Sequence, residues 1–441
     1  MKFINTLKDI FKIEELKNKI LLTIGLIAVY RFMAAVPLPG IDPLQLSALK
    51  ESTSGGLLGL LNAFTGGAFA RASVMALGIM PYISASIVVQ LMGIAVPYLQ
   101  KLQKDGESGR KKITQITRWL TIGITLVQAP TYITAIKTQF NLPPEAFLVS
   151  GITFWISSII ILTAGTIFAM WLGERITDKG IGNGISLLIT VGIIANFPAA
   201  FLQEFVSKTE NAGAGGLMMV LIEIIVWFVV ILLTVLLVTA VRKIAVQYAR
   251  RTVAGSTQNV AGSRDYIPLK LNAAGVMPII FAQAIMFLPL ALGQKFPILV
   301  GLTDPNGWQY NVIFAVLIII FSYFYTAITI PTNKMAEDLK RSGGFIPGIR
   351  PGKDTADRLD SVLSRITFPG SLFLAGLSIL PAIVVQFGVQ QGWSMFYGGT
   401  SLIIMVGVAI DTIQQINSYL LNNHYDGLMK PGNSNRKSNK Q

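Results

Sequence analysis

Hydrophobic stretches long enough to cross a membrane recur along this chain, separated by loops alternately rich and poor in Lys and Arg. A spanning helix needs about 20 mostly apolar residues, and ten stretches qualify. They are 20–38, 72–99, 119–136, 154–171, 185–205, 217–241, 273–292, 312–330, 367–387 and 395–420. With 52% hydrophobic and 13% charged residues, the composition excludes an ordinary soluble protein.

The basic residues fix an orientation for these spans. They concentrate in 1–19, 101–118, 175–179, 242–270, 334–365 and 430–440. The connections in between hold only Lys50, Arg71, Lys137, Lys208 and Lys295. Under the positive-inside rule the first set is cytoplasmic, so both termini lie inside. The same bias accounts for much of the net charge of +14 without a nucleic-acid partner.

Several kinds of chemistry are excluded by what the sequence lacks. It has no Cys and one His, which excludes disulfides and Cys/His metal clusters. No phosphate-binding loop of the Gly-x-x-x-x-Gly-Lys type occurs, and the glycines of 180–184 follow no strand. We therefore expect no cofactor, no metal and no enzymatic activity.

The spans divide into two halves of five. We predict a cytoplasmic interfacial helix at 1–19, a first half at 20–206, an external hinge loop at 207–216, a second half at 217–420 and a cytoplasmic tail at 421–441. The second half carries long cytoplasmic loops at 242–272 and 332–365. Because five is odd, the second half starts on the opposite side of the membrane, as in an inverted repeat.

One apolar piece, Gly55–Gly67, is too short to cross the membrane. It lies on the outer side, where the first span emerges. A short helix that re-enters the membrane inside a protein-lined cavity is one interpretation, and a helix lying flat on the outer leaflet is the other.

Three segments are too particular to be generic membrane sequence: 76–87, with Gly78 and Pro81; Trp171–Ser186, a charged turn with three glycines; and 345–352 in a long basic loop. Together with the segments 39–42, 106–112, 246–251 and 397–401, they closely resemble the SecY family, the central subunit of the bacterial protein translocation channel.

That resemblance implies an all-α integral membrane protein with ten transmembrane helices. They form two pseudo-symmetric inverted halves of five helices around an hourglass pore, with a short re-entrant plug helix. The pore ring maps by motif position onto Ile79, Ile83, Ile185, Ile189, Ile280 and Ile404. Such a ring offers water and ions no hydrogen-bonding partner, so it seals when empty. Any of these isoleucines taken alone reads as core or lipid-facing.

The resemblance also implies a plug and a lateral gate. The plug comprises Leu57, Leu58, Gly59, Leu60, Leu61, Asn62, Ala63 and Phe64 within 55–68. The gate comprises Pro81, Ser84, Ser86 and Gln90 on the second span and Asn272, Pro278 and Gln283 on the seventh. Interhelical hydrogen bonds in membranes contribute about 1 kcal/mol each, which a hydrophobic client segment can replace. The alternative is that these polar groups bond within their own helices.

Partners on the basic side are implied because the chain encodes no source of energy. The docking residues are Arg250, Arg251 and Arg350, the last held between Gly and Pro residues. For SecY-like proteins the partners are the SecA ATPase and the ribosome, whose RNA is a polyanion. Small SecE-type and SecG-type membrane subunits, unfolded preproteins with signal sequences and membrane lipids complete the set. The location implied is the bacterial inner membrane.

A secondary transporter is the alternative function. Glu223 and Asp411 lie within spans and would be proton or ion ligands in such a protein. Both are close enough to a helix end to reach the interface or a protein cavity, and Arg31 near the outer end of the first span can snorkel likewise. For an intramembrane enzyme, the sequence offers no Ser/His, metal or paired-carboxylate constellation.

Overall fold

The computed structural model describes residues 13–46, 62–138, 146–149, 151–210, 216–248, 264–292 and 307–429, with Leu49 and Gly59 as single residues between them. The predicted plug residues Leu57, Leu58, Leu60 and Leu61 and the docking residues Arg250 and Arg251 lie outside this range. So do residues 1–12 of the predicted interfacial helix and 430–441 of the tail.

The described chain is mainly helical. Its helices are α1 (Glu14–Ala35), α2 (Met80–Ala95), α3 (Pro97–Lys104), α4 (Gly106–Thr138), α5 (Ile152–Lys179), α6 (Gly184–Glu210), α7 (Gly216–Thr239), α8 (Met277–Leu292), α9 (Trp308–Thr329), α10 (Thr332–Arg341), α11 (Lys353–Gln386), α12 (Gln391–Ser394) and α13 (Gly399–Met429). The strands are β1 (Val241–Tyr248), β2 (Arg264–Lys270) and β3 (Gly344–Phe345), and Pro43–Gln45 form a 3-10 turn.

The helices follow the order of the predicted spans. Among the described residues, eight helical stretches are long and apolar enough to cross a membrane, and the bent pair α2 and α3 adds a ninth if it counts as one span. The 16 residues of α8 occupy the seventh predicted span. The fold is thus the predicted multi-span helical membrane fold, and the number ten remains a prediction.

The described chain forms two compact units. One contains the residues up to Asn196 together with those from Val408 onward, and the other is Phe197–Gly407. In the first unit, Met75 and Ile79 pack with Tyr30 of α1 and Leu172 of α5. The C-terminal part of α13 belongs to the same unit because Ile416 packs beside the start of α1.

The second span starts later than the prediction. We predict it from Ala72, but residues 72–79 form turns and α2 begins at Met80. Ala72 and Gly78 both have positive φ, 45° and 53°, which no helix accommodates. Pro81 lies in the first turn of α2, where its missing N–H leaves no hydrogen bond unmade.

The two long basic loops contain regular structure. β1 pairs antiparallel with β2, from Val241 opposite Lys270 to Gln247 opposite Arg264. β3 pairs with the other edge of β1, which gives the strand order β2-β1-β3. The predicted end of the sixth span at Val241 therefore differs from the structure, because α7 ends at Thr239 and β1 begins two residues later.

The predicted hinge loop is shorter than 207–216. Helix α6 continues through Glu210 and α7 begins at Gly216, so Lys208 is a helical residue. Residues 211–215 lie outside the described residues.

Candidate functional site

The turn 180–184 fixes the start of α6, which carries Ile185 and Ile189. Its N–H groups donate to side chains of three helices: Ile181 to Thr23 Oγ1 of α1 at 3.1 Å, Gly182 to Gln415 Oε1 of α13 at 2.8 Å, and Gly184 to Thr177 Oγ1 of α5 at 2.9 Å. Gly182 has φ +81°. A Cβ on Gly184 would overlap the carbonyl oxygen of Gly173. The glycines seen in the sequence thus let two helices meet at their backbones.

Four of the predicted ring isoleucines lie in the first unit. Ile79 precedes α2 and is buried, and Ile83 lies one turn further on. Ile83 and Ile185 pack against the apolar cluster that contains Ile79, and Ile189 is buried one turn beyond Ile185. Burial of this kind is also what a core isoleucine shows. The structure therefore brings three of them together without assigning a role.

The remaining two ring residues lie in the second unit. Ile280 is half-buried on α8, and Ile404 is buried on α13. The start of α13 is set by the Gly pair after Tyr397, because a Cβ on Gly398 would overlap the carbonyl oxygen of Leu377 on α11. A ring made by all six isoleucines remains a prediction.

The described end of the plug segment is a tight turn, which we call the plug turn and define as Phe64–Gly67. Gly67 N–H donates to the Asn62 carbonyl at 2.8 Å, and Gly66 N–H donates to the Ala63 carbonyl at 3.1 Å. With Gly66 at φ +66°, this is the Schellman pattern that ends a helix. The two glycines therefore terminate the short helical turn 62–64.

The plug turn lies against α6. A Cβ on Gly192 would be 2.8 Å from the Phe64 carbonyl oxygen and 3.1 Å from Gly66 N. Gly192 follows Ile189 by three residues, or about 4.5 Å along the helix axis. The described part of the plug segment is thus packed beside a predicted ring residue.

The predicted gate residues divide between the two units. On α2, Gln90 Nε2 donates to Ser86 Oγ at 3.4 Å, which is a bond within the helix, and Ser84 is half-buried. In the second unit, Gln283 Nε2 of α8 donates to Thr400 Oγ1 of α13 at 3.3 Å.

The two remaining gate residues are Pro278 of α8 and Asn272, which lies in the turn before this helix. Pro278 is in its first turn, and Asn272 Oδ1 is buried without a hydrogen bond among the described residues. The gate itself remains a prediction.

The turn that precedes Arg350 is packed against an apolar cluster. Ile346 and Ile349, on either side of the turn, pack in an apolar cluster with Val246 of β1 and Leu359 of α11. The Arg350 carbonyl accepts a bond from Thr355 Oγ1 at 2.8 Å, while the side chain is exposed. The backbone is thus fixed and the guanidinium is presented to solvent, as the Gly and Pro residues of this loop indicate.

Sequence reasoning missed a buried cluster in the second unit. Glu204 and Lys208 of α6 and Glu223 of α7 are 1%, 4% and 5% exposed. Lys208 Nζ lies 3.7 Å from Glu204 Oε1 and 3.5 Å from Glu223 Oε1. We call these three residues the clasp cluster. Glu223 is buried in the protein, which is one of the two settings considered for it, whereas Asp411 is exposed.

The segment after α11 closes over the clasp cluster. Lys208 Nζ donates to the Gly388 carbonyl at 2.8 Å, and Gln390 N–H donates to Glu204 Oε2 at 2.8 Å. Tyr397 Oη donates to the Glu223 carbonyl at 2.8 Å. Six aromatic rings pack together in this unit: Phe197, Phe201, Trp227, Trp393, Phe396 and Tyr397. The sequence indicates this cluster only through Glu204 and Lys208, an i,i+4 pair, and through Glu223 as the single Glu of the next span.

Comparisons with known proteins agree along nearly the whole chain. A family model described as SecY matches residues 73–413. The chain is 40% identical to protein translocase subunit SecY of Haemophilus influenzae over 431 residues, 95% of each chain. It is 39% identical to that of Bacillus subtilis over 444 residues, covering 96% of this chain and 99% of the relative.

A solved structure shares the fold. It is a SecY channel in which the plug domain stabilises the closed state and maintains a membrane seal. It matches with a TM-score of 0.63 at 19% identity and covers 94% of both chains.

Proposed function

The chain belongs to the SecY family, and on that premise we propose that it forms a protein-conducting channel. The channel passes unfolded polypeptides across the bacterial inner membrane and releases hydrophobic segments sideways into lipid. The observation that carries the proposal is the extent of the match, since translocase subunits align with 95% and 96% of this chain. A family of channels also agrees with the expectation that the protein is not an enzyme. Nothing in this membership supports a secondary transporter.

The seal consists of the six ring isoleucines and the plug. Support comes from Ile83 and Ile185, which pack against one apolar cluster, and from the plug turn, which lies against α6 next to Ile189. An aliphatic constriction excludes ions because it offers no replacement for their hydration. A plug on its outer side adds a second barrier, and each barrier can be weak enough to yield to a polypeptide.

Replacement of Ile83 by Asp tests the seal. A hydrated carboxylate fills the dry gap, so the resting channel should conduct small ions in planar bilayers. Ile83→Leu keeps the position apolar and should stay closed. Equal, low conductance for both variants would remove Ile83 from the ring, and the same pair of substitutions at Ile404 tests the second unit.

The lateral gate runs between the second and seventh spans. Release of a signal segment into lipid requires these two spans to separate. Because the sequence has no native Cys, the pair Ser84→Cys and Gln283→Cys gives a clean disulfide test. Oxidation should block the release of hydrophobic segments and reduction should restore it. Normal insertion by an oxidised channel would place the exit elsewhere.

Partners dock on the cytoplasmic loops. SecA and the ribosome bind through Arg350 and through Arg250 and Arg251, and SecE-type and SecG-type subunits complete the complex. Support comes from the exposed Arg350 on its rigid base. Arg350→Glu should abolish SecA-driven export and leave stability unchanged, because charge reversal in a solvated turn opposes a charged partner without a folding cost. Normal export by this variant would show that Arg350 is a surface residue with no role in docking.

The termini lie in the cytoplasm. Support comes from the Lys and Arg bias of the connections. Reporters inserted within 249–263 should be cytoplasmic and those within 211–215 external. Reversed signals would overturn the orientation.

A further inference from the structure

The plug turn is bonded to a cation of the first helix. Arg31 of α1 donates from Nη1 to the Gly66 carbonyl oxygen at 2.9 Å. A Cβ on Gly66 would overlap this nitrogen. The guanidinium therefore occupies the space that a side chain would need, and glycine is required both for the bond and for the backbone at φ +66°. Arg31 does not simply snorkel to the interface, as its position in the span suggests.

Gly66 lies between Arg31 and α6. The same Cβ would be 2.9 Å from Gly192 Cα. Among the described residues, no Asp or Glu forms an ion pair with Arg31. A half-buried charge needs compensating hydrogen bonds, and the Gly66 carbonyl provides one where the turn lies on α6.

The chain after the turn is anchored independently. Tyr132 Oη of α4 donates to the Phe69 carbonyl at 2.8 Å. Leu38 N–H donates to the Ala72 carbonyl at 2.8 Å. Arg31 thus bonds to Gly66, immediately before the anchored segment. Movement of the plug must begin at this turn.

We propose that Arg31 is a latch that holds the plug turn against α6 in the resting channel. The inference rests on the proposed function, because it takes 55–68 as the plug. A hydrogen bond from a charged donor to a carbonyl is stronger than one between neutral groups. A single bond of this kind biases the plug towards closure, and an arriving polypeptide can break it.

Arg31→Met tests the latch in the full chain reconstituted with its partner subunits in planar bilayers. Met keeps an unbranched side chain and removes the donors. We expect the resting open probability to rise about tenfold, equivalent to about 1.4 kcal/mol. Arg31→Lys retains a donor and should restore most of the closure. The matched control is Arg71→Met: the exposed Arg71 flanks Gly67, since a Cβ there would be 3.7 Å from its Nη2. It removes a like charge near Arg31 but no donor to Gly66, so it should not raise the resting open probability.

A labelling experiment gives a second readout. Ala63 is buried, so a lone Ala63→Cys should react slowly with a membrane-impermeant maleimide. Arg31→Met should accelerate labelling in channels that insert at normal levels, and Arg71→Met should not. If Ile83→Asp conducts while Arg31→Met neither conducts nor labels faster, the latch is wrong and the pore stands. If Ile83→Asp and Ile404→Asp both stay closed as well, the pore assignment is wrong and the latch falls with it. Equal effects of Arg31→Met and Arg71→Met would show that the loss of any positive charge near the turn opens the channel, and would overturn the latch.

Discussion

The plug turn and the clasp cluster both pack on α6, and they are held in opposite ways. The plug turn is held by glycine contacts and by hydrogen bonds to backbone carbonyls, including that from Arg31. The clasp cluster is held by a buried lysine shared between two carboxylates and by packed aromatic rings. A hydrogen bond between neutral groups contributes about 0.5–1.5 kcal/mol and one with a charged partner about 1.5–3 kcal/mol, whereas removing one partner of a buried ion pair costs about 3–5 kcal/mol. We infer that the plug turn is built to be released and the clasp to stay closed.

Lys208→Met should give the largest effect. It leaves Glu204 and Glu223 buried with no cation, so we expect a loss of about 3–5 kcal/mol in the free energy of unfolding. Thermal unfolding of the purified channel and its abundance in the membrane should both fall. The opening of the plug in surviving channels should not change, because Lys208 bonds to no part of the plug turn in the described residues.

An exposed pair of the same geometry is the matched control. Lys111 and Glu107 are also i,i+4 partners, at 3.3 Å, but their side chains are 77% and 85% exposed. Lys111→Met should cost less than about 1 kcal/mol. Glu204→Gln and Glu223→Gln added to Lys208→Met should recover much of the loss, because no unpaired charge then remains. Equal costs at Lys208 and Lys111 would contradict the account of the clasp.

The sequence predicted one of these regions better than the other. The plug segment stands out because it is apolar, short and framed by glycines, all of which are local features. The clasp joins Glu204 and Lys208 of α6 to Glu223 of α7, and it depends on Gly388 and Gln390, far along the chain. A charged residue in a span identifies a buried site only when its partners are known. Tertiary packing decides which residues those partners are.

The three-stranded sheet was missed for a different reason. Residues 241–248 alternate, with Ile244, Val246 and Tyr248 on one face, as a half-buried strand does. Their basic neighbours favour a solvated loop under the topology rule, and a loop is what we predict for 242–272. The six ring isoleucines follow from family resemblance alone, because isoleucine in a membrane span has no local signature of a pore.

Gly192→Ala should have an intermediate effect that separates closure from stability. The added methyl group meets the Phe64 carbonyl at 2.8 Å, so the plug turn must move away from α6. Overpacking of this kind costs about 1–3 kcal/mol, and the cost should appear as higher resting conductance. The control is Gly123→Ala in α4, where nothing lies within 4 Å of the new Cβ. It should leave conductance unchanged and stabilise the helix by up to about 1 kcal/mol. A Gly192→Ala channel that stays closed but unfolds more easily would show that the contact is structural.

Thr65→Val should give the smallest effect and measures a single side chain within the plug turn. Thr65 Oγ1 donates to the Asn62 carbonyl at 3.1 Å and accepts from Phe69 N–H at 3.1 Å. Valine keeps the branched shape and removes both bonds, which should cost about 1 kcal/mol. We expect a small rise in the resting conductance and in the labelling of Ala63→Cys, with nearly unchanged thermal stability. The control is Thr234→Val on α7, a buried threonine whose described hydrogen bond runs to the Val230 carbonyl of its own helix. A rise as large as that from Gly192→Ala would mean that the Thr65 hydroxyl, and not packing on α6, dominates closure of the plug turn.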